Sequence, residues 1–160
     1  MGVWILKPLF FAFTGYLSFA NNFFTGVLPT SITEMKDLNR LYLDGNYFNG
    51  KLPPGLSDMT NLESISIYNN FFTGTLSPDI GNLKNLTALY LDINHFDGTI
   101  PPEIGNLKKL VDLRLRHNRF VGTIPDSLGE IPGLEILYLD RNDLTGTIPT
   151  QLGQASRLSK

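Results

Sequence analysis

The chain has 160 residues and a formal net charge of −2, with 42% hydrophobic and 18% charged residues. This composition is typical of a folded domain with a sizeable core and argues against disorder, while the slightly acidic balance argues against general nucleic-acid binding. The sequence has no cysteine, which excludes disulfides, zinc–thiolate sites and cysteine nucleophiles.

The first 13 residues, MGVWILKPLFFAF, are strongly apolar. Such a segment is typical either of a signal peptide, which would extend to Ala20, or of a truncated start that does not belong to the rest of the chain. Lys7 interrupts the apolar run, which is also shorter than the about 20 residues of a membrane-spanning helix. Cleavage after Ala20 would remove the first predicted strand, at Leu17 and Phe19, so we favour the truncated start.

An internal repeat of constant period organises the rest of the chain. Each copy from the second onward has an L-x-x-L-x-L frame, and every copy has an Asn, an apolar residue two positions later and a following Gly. The repeated asparagines are Asn22, Asn46, Asn70, Asn94, Asn118 and Asn142, and the repeated glycines are Gly26, Gly50, Gly74, Gly98, Gly122 and Gly146. This regularity predicts a solenoid in which each coil buries its apolar face against its neighbours.

The order of elements is expected to be the same in every copy. The x-L-x-L-x stretch alternates with period two, which predicts a short strand with its leucines inward, and strands stacked about 4.8 Å apart form a parallel sheet. The Asn amide is expected to bond backbone groups where the chain leaves the strand, so that the asparagines form a ladder between coils. In PPEIGNLKKL, residues 101–110, apolar residues stand three apart, which predicts a short 3₁₀ or helical turn.

The unit L-x-x-L-x-L-x-x-N-x-F-x-G-x-I-P-x-x-[IL]-G-N-L resembles the 24-residue, plant-type leucine-rich repeat, over about residues 16–160. The resemblance implies an α/β solenoid of about six repeats, with the parallel sheet on its concave face and short 3₁₀ or helical turns and extended segments on its convex side. The implied domain covers 14–160, with repeats at about 14–37, 38–61, 62–85, 86–109, 110–133 and 134–160. Ser77 departs from the pattern where Pro is expected, and Thr14 replaces the first Leu of the first copy. The family's cysteine-bearing caps are missing, so we interpret the chain as a fragment of a longer repeat domain.

The outward positions of the strands predict a binding surface, because the leucines, asparagines and glycines are committed to the scaffold. Tyrosine and arginine, which are typical of binding hot spots, are frequent there, and the resemblance implies that this face binds ligands. Arg114 has Tyr90 and Tyr138 as neighbours in its column, so a cation–π sandwich is expected. The candidate ligand-binding residues are Arg40, Tyr42, Asp44, Tyr68, Tyr90, Asp92, Arg114, Arg116, Tyr138 and Asp140.

Two hypotheses remain open for the pair of arginines in this set. Arg116 lies between Asp92 and Asp140 in its column, which favours an exposed ladder of ion pairs that contributes little. Alternatively, Arg114 and Arg116 form an anion pocket. The segment RLR at 114–116 is similar to the Arg-x-Arg with which plant peptide-receptor kinases clamp the terminal carboxylate of their ligand.

No catalytic site and no cofactor are expected. Asp44, Asp92 and Asp140 recur in every second coil, about 9–10 Å apart, a separation typical of inverting glycosidases. Arg116 would compensate two of them, however, and a flat open sheet gives no pocket that excludes water. The two histidines occupy different repeat positions and are interpreted as surface residues rather than as a metal or base pair.

One N-glycosylation sequon, Asn85-Leu86-Thr87, stands at the turn before the fourth strand, where we expect it to be exposed. The resemblance implies a non-catalytic module that binds a peptide or protein, including a co-receptor ectodomain, as part of a plant receptor-like kinase or receptor-like protein in signalling. It would be secreted or lie on the extracellular face of the plasma membrane, through a parent protein's transmembrane helix. The alternative is a secreted or intracellular inhibitor or scaffold without a signalling role. Neither metal nor nucleic acid is an expected partner.

Overall fold

The computed structural model describes residues 15–155 and 157–158, so the apolar segment 1–13 and Thr14 lie outside the described residues. Each repeat forms one coil, and the coils are numbered one to six in chain order. Every coil has a first strand, a second strand and a five-residue 3₁₀ helix. The 3₁₀ helices are Thr30–Glu34, Pro54–Asp58, Pro78–Asn82, Pro102–Asn106, Asp126–Glu130 and Thr150–Gln154.

The first strands of the coils form a six-stranded parallel sheet, in which the strands follow one another in the order of the coils. Each residue lies opposite the residue that occupies the same repeat position in the next coil, as in Leu89 opposite Leu113, so equivalent positions form straight columns. The strands are β1 (Tyr16–Ser18), β3 (Arg40–Tyr42), β5 (Ser64–Ser66), β7 (Ala88–Tyr90), β9 (Asp112–Arg114) and β11 (Ile136–Tyr138). The parallel sheet predicted from the alternating leucines is therefore confirmed.

The second strands also pair, although the sequence indicated only extended segments there. They are β2 (Thr25–Val27), β4 (Tyr47–Gly50), β6 (Phe71–Thr75), β8 (His95–Asp97), β10 (Val121–Gly122) and β12 (Asp143–Leu144). The first four form one parallel sheet and the last two another, and a bridge between Thr99 and Val121 connects them. Partners here do not share a repeat position, since Thr73 lies opposite His95 rather than opposite Asp97, so each coil is offset from the next along this sheet.

The core lies between the first sheet, formed by the first strands, the second strands (together called the second sheet) and the 3₁₀ helices. The frame leucines of coils two to five are almost completely buried, and a row of phenylalanines stacks beside them. Phe72 and Phe96 are 6.3 Å apart between ring centroids, as are Phe96 and Phe120. All three phenylalanines are fully buried, which is worth about 2–3 kcal/mol each relative to exposure.

The repeated asparagines join the coils by hydrogen bonds. Nδ2 of Asn94 donates to the carbonyls of Leu91 at 3.2 Å, Asp92 at 3.2 Å and, one coil earlier, Ile67 at 3.0 Å. Its Oδ1 accepts from the Phe72 N–H at 3.0 Å. The three carbonyls lie just past the ends of β5 and β7, so the amide satisfies backbone atoms that the first sheet leaves unpaired.

Candidate functional site

A pocket of about 480 Å³ lies on the outward side of the first sheet. Seven of the ten predicted binding residues line it, together with a serine that sequence reasoning did not select. The lining residues are Tyr42, Asp44, Ser66, Tyr68, Tyr90, Asp92, Arg114 and Arg116. Coil two contributes an acidic side chain at one end of the pocket, and coil five contributes two basic side chains at the other, next to Asp92 of coil four.

The three remaining predicted residues do not line the pocket. Tyr138 borders it through its contacts with both arginines of coil five. Arg40 in β3 and Asp140 just after β11 are exposed, and neither lines the pocket.

Arg114 is held by an aspartate on its own strand. Its Nε and Nη2 donate to the Asp112 carboxylate at 2.9 and 2.7 Å, and the Tyr90 hydroxyl donates to the same carboxylate at 3.0 Å. The guanidinium also lies between the rings of Tyr90, at 4.8 Å, and Tyr138, at 5.3 Å, so the predicted sandwich is present. Asp112 was not selected from the sequence as a partner of Arg114. The sequence feature that indicates the contact is the spacing of two residues, which places both side chains on the same face of the strand.

These contacts also affect proton binding in the network. The hydrogen bond to the Asp112 carboxylate raises the pKa of Arg114 above its ordinary value. Burial, followed by the hydrogen bond to Asp112, raises the pKa of the Tyr90 hydroxyl. Both groups therefore hold their protons at neutral pH, and the Arg114 charge is compensated within the protein.

Arg116 has a different environment. Its Nε is buried without a hydrogen-bond partner and lies 3.8 Å from Oδ1 of Asp92, while its guanidinium lies 5.4 Å from the centre of the Tyr138 ring. The prediction that Arg116 sits between two ion-pair partners is wrong, because its only ion pair among the described residues is with Asp92. The exposed side chain of Asp140 follows the end of β11 and extends into solvent instead. Arg116 is 41% exposed, and its guanidinium, unlike that of Arg114, is not fixed by a bidentate contact with a carboxylate of the protein, so it is free to orient its outer nitrogens toward a ligand.

Asp92 is a carboxylate in the floor of the pocket. Its side chain is only 5% exposed, and its Oδ1 accepts a hydrogen bond from the Arg116 backbone N–H at 3.1 Å. Burial raises the pKa of Asp92 to about 6, against the lowering effect of that hydrogen bond and of the charges of Arg116 and Arg114. Burial also raises the pKa of Asp44, which accepts a hydrogen bond from Ser66. The pocket therefore contains two carboxylates that take up protons more readily than ordinary aspartates.

The predicted sequon has a structural role at its asparagine. Nδ2 of Asn85 donates to the Thr60 carbonyl at 3.0 Å, and Oδ1 accepts from Nζ of Lys109 at 2.8 Å. The side chain is half-buried, so the expectation that Asn85 is freely exposed is wrong. Its amide serves as another bridge between neighbouring coils.

Other features of the described residues bear on the class of protein. Among residues 15–155 and 157–158, no group of three or more metal-ligating side chains could hold an ion. No helix in this range is long and apolar enough to cross a membrane. His95 lies on the second sheet, 5.8 Å from the ring of Phe71, whereas His117 follows the first sheet and its Nε2 lies 2.8 Å from Nη1 of Arg141.

The stacked coils, the asparagine ladder and the open pocket on the first sheet define a solenoid repeat protein with a recognition surface. More particularly, the chain belongs to the leucine-rich repeat family and is of the plant type. A model of the leucine-rich repeat matches residues 84–144, and a single-repeat model of the same name matches 37–59 and 61–83. A comparison with curated proteins gives no match.

Solved structures from plants are similar to the chain. One is the plant peptide hormone receptor RGFR1 in complex with RGF2, with 32% identity and a TM-score of 0.87 over 89% of this chain. Another is the ectodomain of the Arabidopsis receptor kinase HAESA with an IDA peptide hormone, with 30% identity and a TM-score of 0.85 over 89% of this chain. A plant ice-binding protein has 30% identity and a TM-score of 0.78 over 82% of this chain. The chain spans 23%, 24% and 43% of these three proteins, respectively.

Proposed function

We propose that the chain is a non-catalytic recognition module of a plant receptor, which binds a peptide through the pocket on the first sheet. The observation that carries the proposal is the pocket itself, in which a half-exposed Arg116 guanidinium with unused donors stands among three tyrosines. The likeness to the two receptors in complex with peptide hormones supports it. The remainder of the proposal is that the parent protein is a receptor-like kinase or receptor-like protein, exposed at the cell surface, with a co-receptor ectodomain as a further partner.

Within this proposal the anionic group of the ligand binds Arg116 rather than a symmetrical pair of arginines. Arg114 already has both oxygens of Asp112 within hydrogen-bond distance, and separating them would leave a buried carboxylate unpaired. Arg116 can turn its outer nitrogens to a ligand carboxylate while Tyr138 supports its plane. The tyrosines supply contact area at low cost in conformational entropy.

The experiment is a selection of random displayed peptides on the purified chain, followed by calorimetric titration of a selected synthetic peptide. Arg116→Ala is expected to weaken binding about ten- to hundredfold, because a hydrogen bond to a charged group contributes about 1.5–3 kcal/mol. Arg40→Ala is the matched control, since Arg40 is exposed on the same sheet outside the pocket, and it should leave the affinity unchanged. Equal effects of the two substitutions would remove the pocket from the proposal.

A second candidate is a secreted leucine-rich repeat protein without a signalling role, and a row of threonines favours it. Thr75, Thr99, Thr123 and Thr147 are exposed and follow the repeated glycine in four successive coils. Their hydroxyls and methyls recur once per coil, on the side of the solenoid where the equivalent rings of Phe72 and Phe96 lie 6.3 Å apart. Such a regular row suits an ordered lattice such as ice, and the likeness to the plant ice-binding protein supports this candidate. This candidate predicts that the wild-type chain shows thermal hysteresis, that Thr99→Lys abolishes it and that Arg116→Ala leaves it intact. A wild-type chain without thermal hysteresis would exclude ice binding.

A further inference from the structure

The residue immediately before each ladder asparagine has a left-handed backbone conformation in all six coils. The φ angles lie between 52° and 59° at Asn21, Gly45, Asn69, Ile93, His117 and Arg141. The turn is required because the chain must leave the first sheet and direct the next side chain, the ladder asparagine, into the core. Glycine and asparagine adopt this conformation most easily, and they occupy the row in coils one to three.

Ile93 is the exception that the requirements of folding do not explain. A β-branched side chain at positive φ is a genuine outlier, and Ile93 has φ 52°. Its side chain is 41% exposed, so it receives little packing energy in return. For folding alone, asparagine or glycine would serve better at this position.

Ile93 directly follows a residue that lines the pocket and is bonded through its backbone to another. Its N–H donates to the Arg116 carbonyl at 3.1 Å, and its own carbonyl accepts from the Asn70 N–H at 3.1 Å. The residue before it, Asp92, is in the pocket floor. These bonds continue the register of the first sheet, so the backbone of Ile93 is held beside that of Arg116 in the next coil.

The residues at the same repeat position in the neighbouring coils are polar. Asn69 occupies the equivalent place one coil earlier, and His117 one coil later contacts Arg141. Ile93 is therefore an exposed apolar residue between two polar residues of the same repeat position, and its backbone is bonded to that of Arg116. Residues in unfavourable backbone conformations cluster at binding sites, where the strain persists because function requires the side chain.

We propose that Ile93 is a specificity-determining residue, which contacts one apolar side chain of the peptide that the pocket binds; this rests on the proposed function. An extended peptide advances about 3.3 Å per residue, whereas neighbouring coils are about 4.8 Å apart. A peptide that crosses the strands therefore places its apolar side chain one or two residues from the anionic group at Arg116. The ligand class is a peptide with an aliphatic or aromatic residue beside an acidic residue or its terminal carboxylate.

The test compares stability and affinity in the same variant, with a peptide selected on the wild-type chain from a random display library as the probe. Ile93→Asn is expected to raise the melting temperature by about 2–4 °C, because it relieves backbone strain, and to weaken binding about tenfold, because it removes an apolar contact. A merely structural residue would not move stability and affinity in opposite directions.

The reverse substitution supplies the matched control. Asn21→Ile introduces the same strain at the equivalent position three coils away, so it is expected to lower the melting temperature by a similar amount without changing the affinity. Unchanged affinity in Ile93→Asn overturns the role of Ile93 and leaves peptide binding intact, and a fall in its melting temperature overturns the strain argument. A selection that yields no binding peptide overturns both the role of Ile93 and the proposed function.

Discussion

Replacing Asp92 with Asn removes a charge that is almost completely enclosed by the pocket floor. Burial raises the pKa of this carboxyl from 3.8 to about 6, which means that burial opposes ionisation more strongly than Arg116 and Arg114 favour it. At about 1.4 kcal/mol per pH unit the penalty at neutral pH is at most about 3 kcal/mol, and screening by solvent in the open pocket reduces it to about 1–2 kcal/mol. Because Asn keeps an oxygen that accepts from the Arg116 N–H, we expect Asp92→Asn to stabilise the fold by about that amount at neutral pH.

The pH dependence provides the sharper measurement. The folded protein binds the Asp92 proton more tightly than the unfolded chain does, so this contribution is fully present below about pH 4 and is lost as the pH rises through about 6. Urea unfolding across this range should show a decline in the free energy of unfolding for the wild type and a shallower decline for Asp92→Asn, in which Asp44 still contributes.

The matched control for this prediction is Asp140→Asn. Asp140 occupies the same repeat position two coils later but is exposed, so its replacement should leave the stability at neutral pH unchanged. If Asp92→Asn destabilises the protein at neutral pH and keeps the wild-type slope, the ion pair with Arg116 outweighs burial and the reasoning fails.

The scaffold supports two more predictions, both checked by urea unfolding. Asn94→Ala leaves the Phe72 N–H and three carbonyls without their partner, so the free energy of unfolding should fall by about 3–5 kcal/mol. The control is Asn22→Ala, which removes an exposed amide with bonds only inside its own coil and should lower the free energy of unfolding clearly less. Equal losses in the two variants would contradict the role of the asparagine ladder. Gly98→Ala places a Cβ at φ 70° and only 2.7 Å from the Thr75 methyl, whereas Gly26→Ala at φ 86° meets nothing within 4 Å. Both variants should lose about 1–2 kcal/mol of the free energy of unfolding through backbone strain, and Gly98→Ala should lose about 1 kcal/mol more through overpacking. Equal losses would show that neighbouring coils can move apart to accommodate the added methyl group.

The period of the sequence was sufficient to predict the main architecture. Once the first strands stack at a constant offset, every outward residue acquires definite neighbours in the coils on either side. The contact of Arg114 with Tyr90 and Tyr138 was predictable for this reason. The same comparison of equivalent positions in neighbouring coils identified most of the residues that line the pocket.

Comparing equivalent positions in neighbouring coils was insufficient where a side chain has several partners within reach. It placed aspartates on both sides of Arg116, but the structure pairs only Asp92, which is buried, and leaves Asp140 in solvent. It also overlooked Asp112, because a partner two residues away on the same strand lies outside a comparison between coils. Rotamers and depth of burial, rather than register, decide between such partners.

The sequence by itself thus determined the solenoid, the columns of its first sheet and the positions of the ladder asparagines, because each depends only on a pattern that recurs in every repeat. Tertiary structure alone decided the pairing of the second strands, the raised pKa of Asp92 and the left-handed backbone of Ile93. These three features depend on how far each coil is offset from the next, how deeply a carboxylate is enclosed and how the chain turns. Those quantities arise from packing between coils and are not encoded in the repeat period.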